Sequence, residues 1–203
     1  MSATAHPISP LRDFVISMTH LVNETQDEPT LVNKGSALLK QLIADDSWLP
    51  TFCTIHHQEY YQQFLLHTDP LERFSVVSFV WGPDHKTPIH DHCVWGLIGM
   101  LRGAEISQRF THDSNGKLVQ DGSEAILNEG EVEAVSPDIG DIHIVRNASS
   151  TENAISIHVY GANIGAVNRH TYHHETGEKK RFVSGYSSAQ VPNLWDRSAN
   201  PKI

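Results

Sequence analysis

The spacing of apolar residues along the chain changes near residue 72, from a helical period to an alternating one. Before that point Leu11, Phe14, Val15, Met18, Leu21 and Val22 recur at the 3.6-residue period of one helix face, and Ser9-Pro10 supplies a start. Leu31, Leu38, Leu39, Leu42 and Ile43 predict a second helix over about 29–45. Residues 55–67, with Tyr60, Tyr61, Phe64 and Leu65, read as a third helical segment. Beyond it come short β-type runs at 74–81, 87–92, 95–101, 104–111, 125–127, 131–135, 141–146 and 154–160. Gly82-Pro83-Asp84, Asp113-Ser114-Asn115-Gly116 and Asn128-Glu129-Gly130 supply turns between them. Many short strands at this spacing predict a sandwich or barrel. The expected layout is one domain over 1–203. A helical segment, 1–70, packs on a barrel, 71–186, and a tail, 187–203, with Ser187-Ser188, Pro192 and Pro201, wraps the surface or frays.

Composition narrows the function classes. Hydrophobic residues make up 39% of 203, enough for a core, and the net charge of -9 argues against nucleic acid or an anionic membrane as partner. Two cysteines, Cys53 and Cys93, are too few for a disulfide framework and fit a reducing cytosol. The first residues lack the charged and apolar regions of a signal peptide, and no apolar run approaches the ~20 residues of a membrane span. The expected location is therefore cytoplasmic. Fourteen histidines are many, but pairs such as His56-His57 and His173-His174 look like surface positions, so their number alone does not locate a metal.

The chemistry concentrates at His90-Asp91-His92. On a β-strand these two imidazoles share one face, with Cα atoms about 6.6 Å apart, near enough for both rings to reach one metal. A third histidine from a neighbouring strand would complete a facial triad with the opposite side open, as a catalytic metal requires. Residues 82–103 resemble the first motif of the cupin superfamily. The second appears as Pro137-Asp138-Ile139-Gly140-Asp141-Ile142-His143, with Asn147 four residues on. This resemblance implies a mostly β fold, a cupin (double-stranded β-helix, jelly-roll) barrel with N-terminal α-helices, and brings His143 beside His90 and His92. Many cupins carry a glutamate ligand where this chain has Gly96; Asp91 points to the other strand face, and Glu105 lies too far along the next strand. Three neutral imidazoles would leave a divalent ion its full charge and favour an anionic ligand, especially a thiolate.

In Ser156-Ile157-His158-Val159-Tyr160, Ser156, His158 and Tyr160 share one face. Facing the barrel interior, they can form a hydrogen-bond chain ending near the metal. The alternative is an ordinary strand with Ile155, Ile157 and Val159 inward and the polar residues outward. An H-x-H, a distant histidine, no glutamate ligand and a Ser-x-His-x-Tyr strand together resemble the cysteine dioxygenase-type thiol dioxygenases, over roughly residues 55 to 175. The resemblance implies a mononuclear non-haem Fe(II) held by His90, His92 and His143, with O2 as cosubstrate. Ser156, His158 and Tyr160 become its outer-sphere triad, and a small thiol is oxidised to a sulfinic acid.

Two further positions select a branch. The Tyr-x-Arg stretch of mammalian-type members is matched to Tyr60-Tyr61-Gln62, which replaces the arginine by Gln62. The cysteine that cross-links to tyrosine in those members falls at Gly96 or Leu97, and Cys93 is expected to face away. These departures resemble the bacterial Gln-type branch, typified by 3-mercaptopropionate dioxygenase, in which an arginine after the Ser-His-Tyr strand binds the substrate carboxylate. Arg169 sits in that place, and with Gln62 it is the expected substrate-binding residue. Expected substrates are 3-mercaptopropionate first, L-cysteine second and mercaptosuccinate third. The rival readings are another metal-dependent cupin enzyme acting on a small organic acid, and a non-catalytic ligand-binding cupin.

Overall fold

The computed structural model describes residues 8–187. Two helices come first, α1 (Ser9–Glu24) and α2 (Glu28–Leu42). Pro10 pre-sets the first turn of α1, which buries Leu11, Phe14, Met18, Leu21 and Val22. Asp27 caps α2, its side chain accepting from Thr30 N at 3.0 Å, and α2 buries Leu31, Leu39 and Leu42.

Eleven strands follow: β1 (Gln62–Thr68), β2 (Ser75–Trp81), β3 (Ile89–His90), β4 (Gly96–Arg102), β5 (Ala104–His112), β6 (Leu118–Asn128), β7 (Val132–Val135), β8 (Ile142–Asn147), β9 (Ala154–Tyr160), β10 (Arg169–Tyr172) and β11 (Lys179–Phe182). They form two antiparallel sheets ordered β1-β2-β9-β4-β7 and β11-β10-β3-β8-β5-β6. This is the expected mostly β jelly-roll barrel with N-terminal helices. No helix among the described residues is long and apolar enough to cross a membrane.

The helices decide which way the first sheet faces. Val76, Val80, Leu97, Leu101, Ile155, Ile157 and Val159 pack in one cluster with the buried residues of α1 and α2. The alternate residues Val77, Phe79, Trp81, Met100 and Tyr160 form a second cluster on the barrel side. At full burial each large side chain contributes roughly 1.5–3 kcal/mol. Gly35 allows the close approach of helix to sheet, because a Cβ there would lie 2.8 Å from Leu97 Cδ1.

Four sequence expectations change. Residues 55–67 do not form a helix: an irregular stretch leads into β1, which pairs with β2. The Tyr60, Tyr61, Phe64, Leu65 spacing mimics a helix because Tyr60 and Tyr61 lie in the irregular stretch and Phe64 and Leu65 in the strand, so the pattern spans two elements. The helical segment thus ends before β1, which belongs to the barrel. The run at 87–92 pairs only at Ile89–His90, so His90 and His92 do not share a continuous strand. The short run at 125–127 is the end of the eleven-residue β6, whose polar, exposed residues hid it. Strands β10 and β11 were not anticipated, being four residues each and largely polar. The expected tail, with Ser188, Pro192 and Pro201, lies outside the described residues.

Leu39 is fully buried between helix and sheet. Leu39→Ala should cost about 2–5 kcal/mol and lower the melting temperature by roughly 5–15 °C, measured by thermal and denaturant unfolding.

Candidate metal centre

His90 and His143 are direct cross-strand partners on β3 and β8. The rings of His90, His92 and His143 form an equilateral triangle with centroids 4.9 Å apart on every side. One nitrogen from each lies within 4.8 Å of the others, and all three residues are buried. His90 Nδ1–H donates to the Pro88 carbonyl at 3.0 Å, which leaves Nε2 bare. His92 Nδ1 meets Asp141 Oδ1 at 2.9 Å. Asp141 also accepts from the backbone N–H of His92, at 3.0 Å, and of Cys93, at 2.9 Å. One carboxylate thus holds His92 in place where no strand continues, and it sits in the same Gly-Asp-Ile-His motif as His143. Burial, reinforced by the neighbouring imidazoles, holds His90 and His143 neutral, well below the usual histidine range. Three converging imidazoles fit a divalent metal with open positions.

Asp91 takes no part in that triangle. It accepts from His170 N at 2.7 Å, His170 Nδ1 at 2.9 Å and Tyr172 OH at 2.7 Å, tying the loop to β10. The Cys93 thiol is exposed, donates to Asp91 Oδ1 at 3.4 Å, and is pushed up to about 11 by burial and by the Asp91 charge. The position facing Tyr160 is Gly96, where a Cβ would stand 2.9 Å from the tyrosine ring.

The triad borders a cavity of about 310 Å³. From β9, Ser156 Oγ and His158 Nε2 are 2.8 Å apart, and His158 Nδ1 and Tyr160 OH are 2.8 Å apart, so the three form one chain. Trp81 Nε1–H donates to Ser156 Oγ at 3.1 Å, and Phe79 stacks on the His158 ring at 4.1 Å between centroids. The Tyr160 and His92 rings stack at 5.5 Å, which brings the relay to the metal triangle. Burial keeps Tyr160 protonated, well above the usual phenol range, and His158 neutral. Ser156 also reaches Glu105 Oε2 at 3.3 Å, so Glu105, which is not part of the imidazole triangle, is a buried cavity residue behind the relay.

Arg169 is 4% exposed and lines the cavity. Its guanidinium lies 4.7 Å over the Phe182 ring, and Nη2 donates to Ser184 Oγ at 2.7 Å. Among the described residues nothing accepts from its buried Nε. A buried cation with an unspent donor fits an anion in the cavity. Gln62 requires correction: the cavity wall carries Tyr61 and Gln63, while Gln62 is not on it. The chain holds two overlapping Tyr-x-Gln frames, Tyr60 to Gln62 and Tyr61 to Gln63, and strand alternation turns the second one inward. Gln63 Nε2 donates to the Gly185 carbonyl at 2.7 Å, fixing the segment that carries Ser184.

A family model for cysteine dioxygenase type I matches residues 9–173, which takes in both helices and most of the barrel. The cysteine dioxygenase type 1 of Bos taurus is 30% identical over 121 residues, and that of Homo sapiens 29%. Each alignment covers 57% of this chain and 58% of the relative, so the chain aligns with a little over half the length of the curated relatives it matches. Among solved structures, a Klebsiella pneumoniae protein with a double-stranded β-helix domain is 15% identical, with a TM-score of 0.44, over 55% of this chain and 80% of its own. From the extent of the family match, the chain belongs to the cysteine dioxygenase type I family.

Proposed function

We propose that the protein is a non-haem iron thiol dioxygenase that oxidises a small carboxylate-bearing thiol with O2 to its sulfinic acid. The observation that carries this reading is one cavity holding three converging imidazoles, with no carboxylate among them, and a buried guanidinium with an unspent Nε–H. A ferrous ion held by His90, His92 and His143 would keep its full charge, favour thiolate over thiol, and supply the redox chemistry that dioxygen needs.

The chain's own groups do the rest. Arg169 binds the substrate carboxylate, and its stacking on Phe182 and bond to Ser184 fix the direction of approach. Phe79, Trp81 and Tyr61 form an apolar wall that excludes water around the thiol. Tyr160, orientated through His158 and Ser156, presents a phenol that holds a hydrogen bond to the reacting group. Its raised proton affinity keeps that phenol a donor at neutral pH.

3-Mercaptopropionate is the preferred substrate. The ammonium of L-cysteine would need an acidic partner, and the one acidic side chain among the described cavity residues, Glu105, is engaged with Ser156. L-cysteine ranks second and mercaptosuccinate third. Two free cysteines, one of them exposed, suit a cytoplasmic enzyme.

Oxygen uptake by iron-loaded protein against the three thiols, with sulfinate quantified, tests the reading. Uptake matching sulfinate, fastest in kcat/KM with 3-mercaptopropionate, is expected. Absence of thiol-dependent uptake by fully loaded protein would sink it. Arg169→Ala should raise KM by roughly ten- to a hundredfold with metal still bound, as a lost charged hydrogen bond of about 1.5–3 kcal/mol implies. A normal KM would remove the clamp. Asp141→Asn, which weakens the grip on His92, should lower metal affinity about 10–100-fold in a competitive chelator titration.

A further inference from the structure

We infer that Glu105 is a fourth member of the Ser156–His158–Tyr160 relay, and that the protonation state of its carboxyl sets which way the Tyr160 O–H points. The reasoning is a count of protons and lone pairs. The Ser156 hydroxyl has one proton to give and two lone pairs to accept with. Trp81 Nε1–H donates to it at 3.1 Å and takes one lone pair. One proton and one lone pair remain for two neighbours, Glu105 Oε2 at 3.3 Å and His158 Nε2 at 2.8 Å. One neighbour must therefore accept and the other must donate.

An ionised Glu105 can only accept. Ser156 then donates to it, His158 Nε2–H donates to Ser156, and the bare Nδ1 accepts from Tyr160 at 2.8 Å. The phenol proton is locked on the imidazole. A protonated Glu105 reverses every bond. The carboxyl donates to Ser156, Ser156 donates to Nε2, Nδ1–H donates to the Tyr160 oxygen, and the phenol proton is free to point into the cavity. In passing from the second arrangement to the first, the Glu105 proton moves to Ser156 and the Nδ1 proton of His158 moves to Tyr160, whose own proton leaves into the cavity, so one proton is lost in all. Ser156 and His158 each take one and hand one on, and no oxidant or co-reactant is involved.

The surroundings of Glu105 suit the role. It is 3% exposed on β5, at the junction of the two sheets. The charged and titratable groups around it are Glu133 of β7, itself paired with Arg109 at 2.7 Å, His143 of β8, and His158 and Tyr160 of β9. Residues Ile98 of β4 and Leu127 of β6 close the remaining sides without charge. Burial, with a smaller push from the Glu133 charge, raises the Glu105 carboxyl to about 8 against the Ser156 hydrogen bond. At neutral pH it is mostly protonated, and the donor arrangement prevails. Glu105 is thus a positioning residue that acts through Tyr160.

The test reads the His158 tautomer by 15N NMR in protein loaded with zinc as a diamagnetic ion. Wild type should pass from Nδ1–H to Nε2–H between about pH 6 and about pH 10, with a midpoint near 8. Glu105→Gln, which cannot ionise, should hold one tautomer throughout. An infrared carboxyl band that disappears with the same midpoint in wild type reports Glu105 without any variant. In iron-loaded protein kcat should fall about tenfold per pH unit above that midpoint, KM changing little, and E105Q should lack the limb. A wild-type His158 that keeps one tautomer, no carboxyl band at neutral pH, or an E105Q protein that switches as wild type does would each overturn the inference. The turnover arm rests on the thiol dioxygenase reading and the tautomer does not, so the two fail separately.

Discussion

Strand β9 is buried on both faces, and the site follows from how that burial is divided. Ile155, Ile157 and Val159 lie under the helices, in the same cluster as Leu39 and Met18. The other face of the strand has one place left, the barrel interior, and it carries Ser156, His158 and Tyr160 there. Polar groups buried this deeply cost several kcal/mol each unless paired. They are paired with one another, and Trp81 and Glu105 satisfy the far end. The apolar surface of the helices therefore forces a polar chain into the core, and hydrogen bonding makes it tolerable. Register does the remaining placement: Phe79 opposes Ser156 and Gly96 opposes Tyr160, so an aromatic stacks on the relay and a glycine leaves room for the phenol.

The metal triad comes from the second sheet and its loop, so the cavity is where the two sheets face each other. The two halves are held by different means. His90 and His143 inherit their geometry from a ladder pair. His92 lies beyond the end of β3 and depends on Asp141, which gathers two backbone amides and one imidazole nitrogen. Across the cavity, β10 and β11 bring Arg169 and Phe182 together as cross-strand partners. A guanidinium is not deprotonated by burial, so the cavity carries a fixed positive charge opposite the three imidazoles. That field favours small anions before any specific contact is made.

Much of this was legible in the chain. The switch from helical to alternating spacing located the barrel, and the two histidine motifs located the residues that the fold gathers into a triangle. What stayed hidden has identifiable causes. Residues 60–65 suggest a helix because the apolar spacing runs across the boundary between the irregular stretch that holds Tyr60 and Tyr61 and the start of β1 with Phe64 and Leu65. The same local ambiguity shifted the glutamine by one place, since two Tyr-x-Gln frames overlap and only pairing with β2 tells Gln62 from Gln63. The orientation of β9 was undecidable from its own alternation, because either face can be inward. Two buried faces look like one from sequence, and only the helices covering the apolar one resolve it. Strands β10 and β11 carry too few apolar residues to announce themselves, yet they complete the end of the cavity that holds Arg169 and Phe182.

The fate of one carboxyl links these parts. In the motif that this chain resembles, a glutamate stands among the metal ligands at the position of Gly96. Here a glycine stands there, and the cavity's one acidic side chain among the described residues is Glu105, behind Ser156. A carboxylate among the ligands would partly neutralise a divalent ion and resist a second anion. At the end of the relay a carboxyl can be protonated, and then adds no charge at all. The three imidazoles and the Arg169 guanidinium then face the cavity with no ionised carboxylate beside them. Gly96 also lets the Tyr160 ring approach within van der Waals contact of the backbone, which a ligating side chain there would forbid. A glycine at residue 96 thus places no carboxylate beside the three imidazoles and makes room for the phenol. One small residue serves both the electrostatics and the packing of the site.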